Sequence, residues 1–474
     1  MKRSLPDRLR ELLGADAIIT APAEIAAYLT DQRALYHGRT PAVVLPRSVA
    51  QISSLLALCH AERIAVVPQG GNTGYCGGAT PDFSGEQLVL ALKRLNRIRS
   101  VDALGNCLTV EAGCLLEDVH AAAAAADRFF PLTLGSQGSC QIGGNLSTNA
   151  GGTQVLRYGM MRDLVLGLEV VLADGRVLAS LQALRKDNTG YAVSSLFLGA
   201  EGTLGIITAA TLKLFPAVHT RACAFVAVRS VSAAVELLAE LRTASDARVS
   251  SFELIPRSAV ELAARHLPAV SDPLPGPYPW YVLAELSSAR AAEPLAEILV
   301  HTLAAAQERG LVSDAVLAQN ERQADAFWYL REHIPEAQRR DGASLKHDIS
   351  VPITALASFV ERASAWLAAH VPEGRLIAYG HLGDGNLHFN LNQAPGVDTH
   401  AFLARAGEVM RFVHDLVHEL GGSFSAEHGI GQLKVGELER YASPVELDLM
   451  RAIKHAFDPH GILNPGKVLR QESE

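Results

Sequence analysis

The sequence predicts an α+β protein of two or three domains. At 474 residues the chain is longer than one hydrophobic core usually serves. Its first part combines short apolar strands with two glycine-rich tracts. Beyond Pro216, residues 221–375 alternate strands with amphipathic helices and contain little glycine. We therefore expect a ligand-binding first part, followed by an inserted second domain of α+β type.

Two predicted strands precede the first glycine-rich tract. Ala42–Pro46 is a short apolar stretch, Ser48 can cap the helix that follows, and Ile64–Val67 is typical of a second buried strand. That strand runs into Pro68–Gly74, whose glycines allow the backbone to approach a ligand closely. We predict a parallel pair of strands with a crossover helix, and a nucleotide site at the loop.

The second tract, residues 135–152, has the sequence GSQGSCQIGGNLSTNAGG. Its turn amides can form an anion-binding concavity. The tract has neither the lysine of a P-loop nor a GxGxxG between strand and helix, so both of those motifs are excluded. Further strands are predicted at Leu166–Leu172 and Leu204–Leu214. In the second domain, a strand at Ala224–Val228 should precede a helix at Val231–Arg242.

The composition excludes several classes of protein. Apolar residues make up 49% of the chain and charged residues 19%, which is typical of a globular protein. A net charge of −8 argues against non-specific nucleic-acid binding and against a polybasic membrane anchor. The start, MKRSLPDRLREL, lacks the apolar stretch of a secretory signal, and no apolar run is long enough for a transmembrane helix. We therefore expect a soluble cytoplasmic protein. The six cysteines form no C-x-x-C pair, which excludes an iron–sulfur or structural zinc pattern, and a cytosolic chain would keep them as thiols.

Two histidines and a later carboxylate carry the strongest chemical signal. His381 and His388 flank a glycine-rich turn, and a strand–turn–strand would bring them together, with Asn390 on the face of His388. With Glu427 they form a plausible ligand set for a catalytic metal that keeps an open position. The alternative is a structural role for each histidine. Asp384 competes as a ligand, although turn chemistry explains it equally well.

His428, directly after Glu427, is the candidate general base. An imidazole at this position could accept the proton of a substrate hydroxyl. Alternatively, His428 only orients Glu427 by a hydrogen bond. A glycine-rich cradle together with this set of ligands indicates a redox enzyme rather than a hydrolase.

Several long motifs occur in an order that resembles a known family. Besides the tract at 135–152, they are PQGGNTGYCGG at 68–78, LGAEGTLGIIT at 198–208, GHLGDGNLHFN at 380–390, SAEHGIGQLK at 425–434 and LNPGK at 463–467. The chain is similar to the FAD-dependent D-2-hydroxy-acid dehydrogenases of the vanillyl-alcohol-oxidase-type flavoproteins. The resemblance is closest to the D-2-hydroxyglutarate dehydrogenases, with D-lactate dehydrogenase and the glycolate oxidase flavin subunit as relatives.

The resemblance implies a particular domain arrangement. Residues 1–220 would form a flavin domain of two subdomains, of the VAO/PCMH type. Residues 221–424 would form an α+β substrate cap with an antiparallel sheet. Residues 425–474 would be a C-terminal helical segment that returns to the flavin domain.

The resemblance also implies where FAD would bind. The two tracts and the motifs near 201 and 464 would contribute Pro68, Gly70, Gly71, Asn72, Thr73, Gly74, Gly135, Ser136, Gly138, Gly143, Gly144, Ser147, Asn149, Gly152, Glu201, Gly202, Ile206 and Asn464. Some relatives attach the flavin through a histidine of the first loop, but this loop has none, which implies non-covalent FAD. A thioether to Cys76 or Cys140 is the alternative, with packing as their default role.

For the substrate, the resemblance assigns two cations and the metal ligands. Arg331 and Lys346 would pair with substrate carboxylates. His381, His388 and Asn390 would also adjoin the substrate, and Glu427 would complete a divalent metal site, usually zinc. Eukaryotic hydroxyglutarate enzymes tend to carry threonine four residues after that arginine. This chain has Pro335 there, so any contact from that hydroxyl to a second carboxylate is lost.

These observations lead to one expected reaction and two alternatives. We expect oxidation of a D-2-hydroxy acid, first of all D-2-hydroxyglutarate, to the 2-oxo acid, with hydride passing to the flavin. Electrons would then leave to an electron-transfer flavoprotein or a quinone, because no second redox centre is visible. The alternatives are a D-lactate or glycolate oxidising subunit, and a catalytically silent flavin-binding subunit. The oligomeric state stays open, with a homodimer as one option.

Overall fold

The computed structural model describes residues 4–471, so the first three residues of the basic N-terminal stretch lie outside it. The chain divides into two compact units. The first contains residues 1–151, 160–217 and 427–474, and the second contains residues 152–159 and 218–426. Residues 152–159, which we had placed in the first domain, therefore cluster with the second unit.

The first unit begins with a small sheet of four strands. In spatial order these are Ile18–Ile19, Val43–Val44, Leu88–Ala91 and Val66–Gln69. The helix Val49–Glu62 begins where expected, since the Ser48 hydroxyl accepts a hydrogen bond from the Gln51 amide. The two strands predicted to pair are parallel but do not touch. Leu88–Ala91 lies between them, because its four buried side chains occupy the centre of the sheet.

A second sheet in the first unit is antiparallel throughout. Its five strands, in spatial order, are Ile98–Asp102, Cys107–Glu111, Ile206–Lys213, Val165–Val171 and Val177–Ser180. The two strands predicted near residues 166–172 and 204–214 are thus neighbours. The remaining short pair is Arg128–Phe129 with Phe215–Pro216. The helices of this unit include Leu5–Leu13, Pro22–Ile25, Val49–Glu62, Leu116–Ala125, Ile142–Ser147, Val435–Tyr441 and Pro444–Phe457.

The second unit is organised around one large antiparallel sheet. Along its main path the strands are Val312–Leu317, Thr220–Val228, Trp280–Ser288, Val249–Pro256, Gly374–His381, Asn386–Gln393 and Ser344–Leu345, and Asp348–Ser350 also pairs with the sixth of these. The antiparallel sheet that the family resemblance implies for this region is present. The strand and helix predicted at 224–228 and 231–242 correspond to Thr220–Val228 and Val231–Ala244.

Helices cover both faces of this sheet. One apolar core contains residues of the helices Val231–Ala244, Leu295–Glu308, Leu356–His370 and Ala406–Glu419. The other core contains residues of the helices Arg257–His266, Glu321–Glu332 and Ile334–Asp341. Short helices occur at Val155–Tyr158 and Thr399–Ala404. The polar side chains of the candidate site, described below, lie on the face of the sheet that carries the second of these cores. They share this face because a strand presents successive residues to opposite sides of its sheet.

Two further expectations concern the whole described chain. The six cysteines are buried and carry no disulfide. Among the described residues, no helix combines the length and apolarity needed to cross a membrane.

Candidate active site

A glycine-walled cavity opens in the first unit. It has an empty volume of about 880 Å³, including its solvent-filled mouth. Of the predicted cofactor residues, twelve line it: Pro68, Gly70, Gly71, Asn72, Thr73, Gly74, Gly143, Gly144, Ser147, Glu201, Gly202 and Ile206. The helix Ile142–Ser147 and the loop after the strand Val66–Gln69 thus face one space, although about 70 residues separate them.

The glycines of this cavity fall into two kinds. A Cβ on Gly71 would collide with the Ser139 carbonyl, and one on Gly143 would lie 2.8 Å from the Ala112 methyl, so packing alone requires glycine there. A Cβ on Gly74 or Gly144 would meet nothing within 4 Å, and neither residue has a positive φ. Nothing in the described residues explains glycine at those two positions. They instead leave room for a bound group.

The polar groups of the cavity fit an anionic cofactor. Within the described chain, the backbone amides of residues 71–74 donate to no acceptor. The buried Gln141 Oε1 likewise has no partner. Consecutive free amides can bind a pyrophosphate without a lysine. The site therefore fits FAD.

Six predicted cofactor residues do not line the cavity. Gly135, Ser136 and Gly138 lie in an outlying turn, where the Ser136 carbonyl accepts from the Ser139 amide. Gly152 belongs to the second unit. The other two, Asn149 and Asn464, do not line the cavity but form hydrogen bonds with neighbouring backbone groups.

Glu201 and Asn464 fasten the C-terminal segment to the cavity wall. The Glu201 carboxylate accepts from the Ile430 amide at 2.7 Å and from the Gly431 amide at 2.8 Å. Burial raises the pKa of Glu201, and these two amides oppose that effect. The Asn464 amide donates to the carbonyls of Glu201 at 2.8 Å and Gly78 at 2.9 Å. Glu201 therefore lines the cavity, but its carboxylate binds protein amides.

His428 lies in the wall of the same cavity. Its ring packs edge-on against Tyr75, with 4.9 Å between the ring centroids. The Arg33 guanidinium covers the Tyr75 ring at 4.5 Å. The candidate base is thus held beside the cofactor loop in the first unit. Cys76 also lines the cavity, and its thiol lies 3.5 Å from the Gly429 carbonyl, whereas Cys140 is buried outside it.

In the second unit, a hairpin brings the two predicted histidines together. The strands Gly374–His381 and Asn386–Gln393 are antiparallel and are joined by a single 3₁₀ turn at Leu382–Asp384. The rings of His381 and His388 lie 5.5 Å apart. Leu387 and Phe389 enter the apolar core on the opposite face, which leaves His388 and Asn390 together on the polar face, as predicted.

Glu253 is the central group of this face and was not anticipated. It is 1% exposed and stands opposite His381 in the register of neighbouring strands. Its Oε1 lies 2.7 Å from His381 Nδ1, and its Oε2 accepts from Arg331 Nε at 2.7 Å. Burial opposes ionisation of Glu253, but His381 and Arg331 outweigh it and lower the carboxyl pKa to about 2.

Arg331 is consequently less free than the sequence suggested. Its residue is 5% exposed, and its guanidinium lies 4.9 Å over the Tyr379 ring. Nη2 is also 2.7 Å from Glu253, but it is not aligned to donate, and no described residue gives it a hydrogen bond. Arg331 could therefore offer only part of its fork to a ligand. Lys346, between Ser344–Leu345 and Asp348–Ser350, is exposed.

Asp348 supports the second histidine. Its Oδ1 lies 3.9 Å from His388 Nδ1 and accepts from the Asn386 side chain at 3.0 Å. The Ala426 amide donates to the Asp348 carbonyl at 3.2 Å, and Glu427 is the next residue in the chain. Asp384, in the turn, has a pKa raised to about 6, chiefly by burial.

Asn390 is occupied by the protein. Its amide nitrogen donates to Gln338 Oε1 at 3.1 Å, and its oxygen accepts from the His347 amide at 3.2 Å. Gln338 also donates to Asn392 at 2.8 Å. Asn390 therefore belongs to a buried amide network, and its contact with the substrate stays a prediction. Pro335 stands in the first turn of the helix Ile334–Asp341, where a missing amide hydrogen costs nothing.

Sequence comparison places these features in a known family. The model of an "FAD binding domain" matches residues 40–180, and that of "FAD linked oxidases, C-terminal domain" matches residues 218–468. The chain is 40% identical over 459 residues to D-2-hydroxyglutarate dehydrogenase, mitochondrial, of Bos taurus, covering 95% of this chain and 81% of the relative. The chain belongs to the D-2-hydroxyglutarate dehydrogenase family. The D-2-hydroxyglutarate dehydrogenase of Xanthomonas citri pv. viticola is 36% identical over 460 residues, covering 97% of this chain and 96% of the relative.

The fold agrees with this membership of the D-2-hydroxyglutarate dehydrogenase family. The solved structure of p-cresol methylhydroxylase with substrate bound superposes with a TM-score of 0.75, covering 98% of this chain and 96% of that one, at 18% identity. At that identity the likeness shows the fold alone, which is the α+β fold of the vanillyl-alcohol-oxidase type. The protein is therefore an FAD-linked oxidoreductase.

Sequence reasoning missed part of each site. The cavity is also lined by Gln69, Gly78, Gln141 and Asn145. All four lie within or beside the two glycine tracts, so their position next to predicted cofactor residues could have indicated them. Glu253 gave no such signal, because it lies in the otherwise apolar strand Val249–Pro256.

Proposed function

We propose that the protein oxidises D-2-hydroxyglutarate to the 2-oxo acid with non-covalent FAD bound in the glycine-walled cavity. One observation carries the proposal: His428 stands in the wall of a cavity whose open glycines and free amides fit FAD. The curated relatives of Bos taurus and Xanthomonas supply the substrate, since both are named for D-2-hydroxyglutarate.

The reaction removes a hydride from carbon 2 and a proton from its hydroxyl. FAD, when bound, supplies the hydride acceptor. His428 would take the proton, a role that contributes typically about 10²–10⁴-fold to the rate. Its edge-on packing against Tyr75 restrains the ring in the cavity wall.

A divalent metal, most simply zinc, is part of the proposal. His381, His388 and Glu427 would hold it, since nitrogen and carboxylate oxygen are ligands that zinc prefers. Two observations support this set. Glu253 occupies Nδ1 of His381 and so directs Nε2 elsewhere, and Asp348 lies on the Nδ1 side of His388. A metal there would polarise the substrate hydroxyl.

The carboxylates of the substrate would bind Arg331 and Lys346. Glu253 already forms an ion pair with Arg331, and Lys346 would supply a second, exposed cation. The second candidate, a D-lactate or glycolate dehydrogenase, is favoured by Pro335, which offers no hydroxyl to a second carboxylate. Electrons would pass to an electron-transfer flavoprotein or a quinone.

Anaerobic reduction of the purified flavoprotein tests the proposal. D-2-hydroxyglutarate, D-lactate, glycolate and the L enantiomers are added separately while the flavin absorbance is followed. We expect fastest bleaching with D-2-hydroxyglutarate. Faster bleaching with D-lactate would establish the second candidate, and no bleaching with any acid would overturn both.

The variant His428→Asn isolates the base. It keeps polarity and similar size, but it cannot accept the proton as an imidazole does. Flavin reduction should slow by at least about tenfold while FAD and metal contents persist. Reduction at the wild-type rate would remove His428 from the chemistry. Loss of metal together with activity would instead indicate that His428 orients Glu427.

A further inference from the structure

The second unit contains a buried carboxylate that touches two functional side chains at once. Glu253 lies in the middle of the strand Val249–Pro256, and its two oxygens face different partners. Oε1 meets His381 Nδ1, and Oε2 meets the Arg331 guanidinium, each at 2.7 Å. Burying a carboxylate is costly unless it is paired, so this arrangement is stable only while both partners stay in place.

The contact with His381 decides which ring nitrogen carries hydrogen. A carboxylate beside the permanent cation of Arg331 stays ionised and can only accept a hydrogen bond. Nδ1 of His381 must therefore carry the proton, which leaves the lone pair of the neutral ring on Nε2. Without Glu253, either nitrogen could be protonated.

The contact with Arg331 fixes the helix Glu321–Glu332 on the sheet. A second buried carboxylate, Glu285, holds the same helix by accepting from Trp328 Nε1 at 2.8 Å. Trp328 and Arg331 are three residues apart, on one face of the helix. Glu285 and Glu253 thus hold the helix in a similar way, and Glu253 in addition connects the helix to His381 through its other oxygen.

We propose that Glu253 is a positioning residue that couples the substrate-binding arginine to the metal-binding histidine. One carboxylate would set both the direction of the Arg331 fork and the tautomer of His381. If Arg331 moved on binding a substrate carboxylate, the Glu253 carboxylate would move with it and change the hydrogen bond at Nδ1 of the His381 ring. The inference rests on the proposed roles of Arg331 and His381.

The test compares Glu253→Gln with Glu285→Gln in the FAD-loaded protein. Both changes remove one buried carboxylate from the same face of the sheet, so a general loss of packing should affect them alike. We expect Glu253→Gln to weaken Zn²⁺ binding by about 10–100-fold, as is usual when a carboxylate behind a histidine ligand is lost. It should also raise KM for the hydroxy acid. Glu285→Gln should leave Zn²⁺ affinity within about threefold of wild type on that same reasoning.

Calorimetric titration of the metal-stripped protein with Zn²⁺ measures the first effect. Equal weakening in the two variants, or none in Glu253→Gln, would overturn the proposal. Nitrogen-15 NMR of histidine-labelled wild-type protein covers the case in which Glu253→Gln does not fold. The signals of His381, assigned by their absence in His381→Gln, should show a proton on Nδ1. A proton on Nε2 alone would refute the inference.

These readouts also separate this inference from the proposed function. If the wild-type flavin is not bleached by any hydroxy acid, the proposed reaction is wrong. The tautomer and the Zn²⁺ affinity would still decide the role of Glu253.

Discussion

Replacement of Asp458 tests whether one buried carboxylate holds the C-terminal segment in its place against the cavity. The Asp458 side chain has no exposed surface and lies 2.6 Å from Lys454 Nζ. It also accepts from the amides of Ile462 at 3.0 Å and Leu463 at 2.7 Å. This turn leads directly to Asn464, which supports the cavity wall through Glu201. Asp458→Asn should therefore weaken both folding and FAD binding.

The size of the effect follows from these contacts. Asparagine can still accept one of the two amide bonds, but its NH₂ group would face a second donor. A buried amide left without a partner costs about 1–3 kcal/mol. Removing one member of a buried ion pair costs about 3–5 kcal/mol, because the other charge stays buried. Lys454 keeps the carbonyls of Thr203 and Leu463, so we expect a combined loss of about 3 kcal/mol rather than the sum.

Urea unfolding of the FAD-loaded protein, followed by circular dichroism and by the fluorescence of released flavin, measures this loss. Asp448→Asn is the matched control, since Asp448 lies on the helix that ends just before Asp458 and its side chain is 77% exposed and pairs with Arg451. The control should change the free energy of unfolding by less than about 0.5 kcal/mol. If Asp458→Asn costs no more than its control, the turn is held by other contacts and the reasoning fails.

Three further results are expected. Acid precipitation should release all yellow colour into the supernatant, because the first loop has no histidine to attach flavin; colour in the pellet would contradict this. His388→Ala should abolish stoichiometric divalent metal in elemental analysis and retain FAD, and an active wild-type protein without metal would exclude the metal site. Burial lowers the pKa of Lys467 to about 8, so between about pH 8 and 10 the unfolded chain binds more protons and wild-type stability rises with pH. Lys467→Met should therefore raise the Tm at pH 7, with a gain in the free energy of unfolding of at most about 3 kcal/mol, and this gain should shrink by pH 10. A stabilisation that does not change with pH would show that it does not come from the buried charge of Lys467.

Local signals made part of the fold predictable. Ser48 is an N-cap residue by its chemistry, and it caps the helix Val49–Glu62. The glycine turn between His381 and His388 likewise predicted the hairpin that brings the two rings within 5.5 Å. In both cases the decisive contacts lie within about ten residues of chain. Such contacts can be read from a short window of sequence.

Long-range contacts explain what the sequence did not reveal. The strand Leu88–Ala91 separates two strands predicted to be neighbours, because a short apolar run carries no information about its position in a sheet. Glu253 meets His381 across 128 residues of chain, and no spacing rule connects them. Arg331 was expected to be available to the substrate, because its partner Glu253 is also distant in sequence and could not be identified from it.

The glycines show why a motif can be recognised before it is understood. Gly71 and Gly143 are fixed by packing against Ser139 and Ala112, so they would be needed even without a ligand. Gly144 directly follows Gly143, yet its missing side chain faces open space. Two adjacent glycines are therefore required for different reasons. Gly143 is required by the fold, and Gly144 leaves space for the bound group. The sequence letters are the same, and only the surrounding backbone separates a glycine that builds the cavity from one that keeps it open.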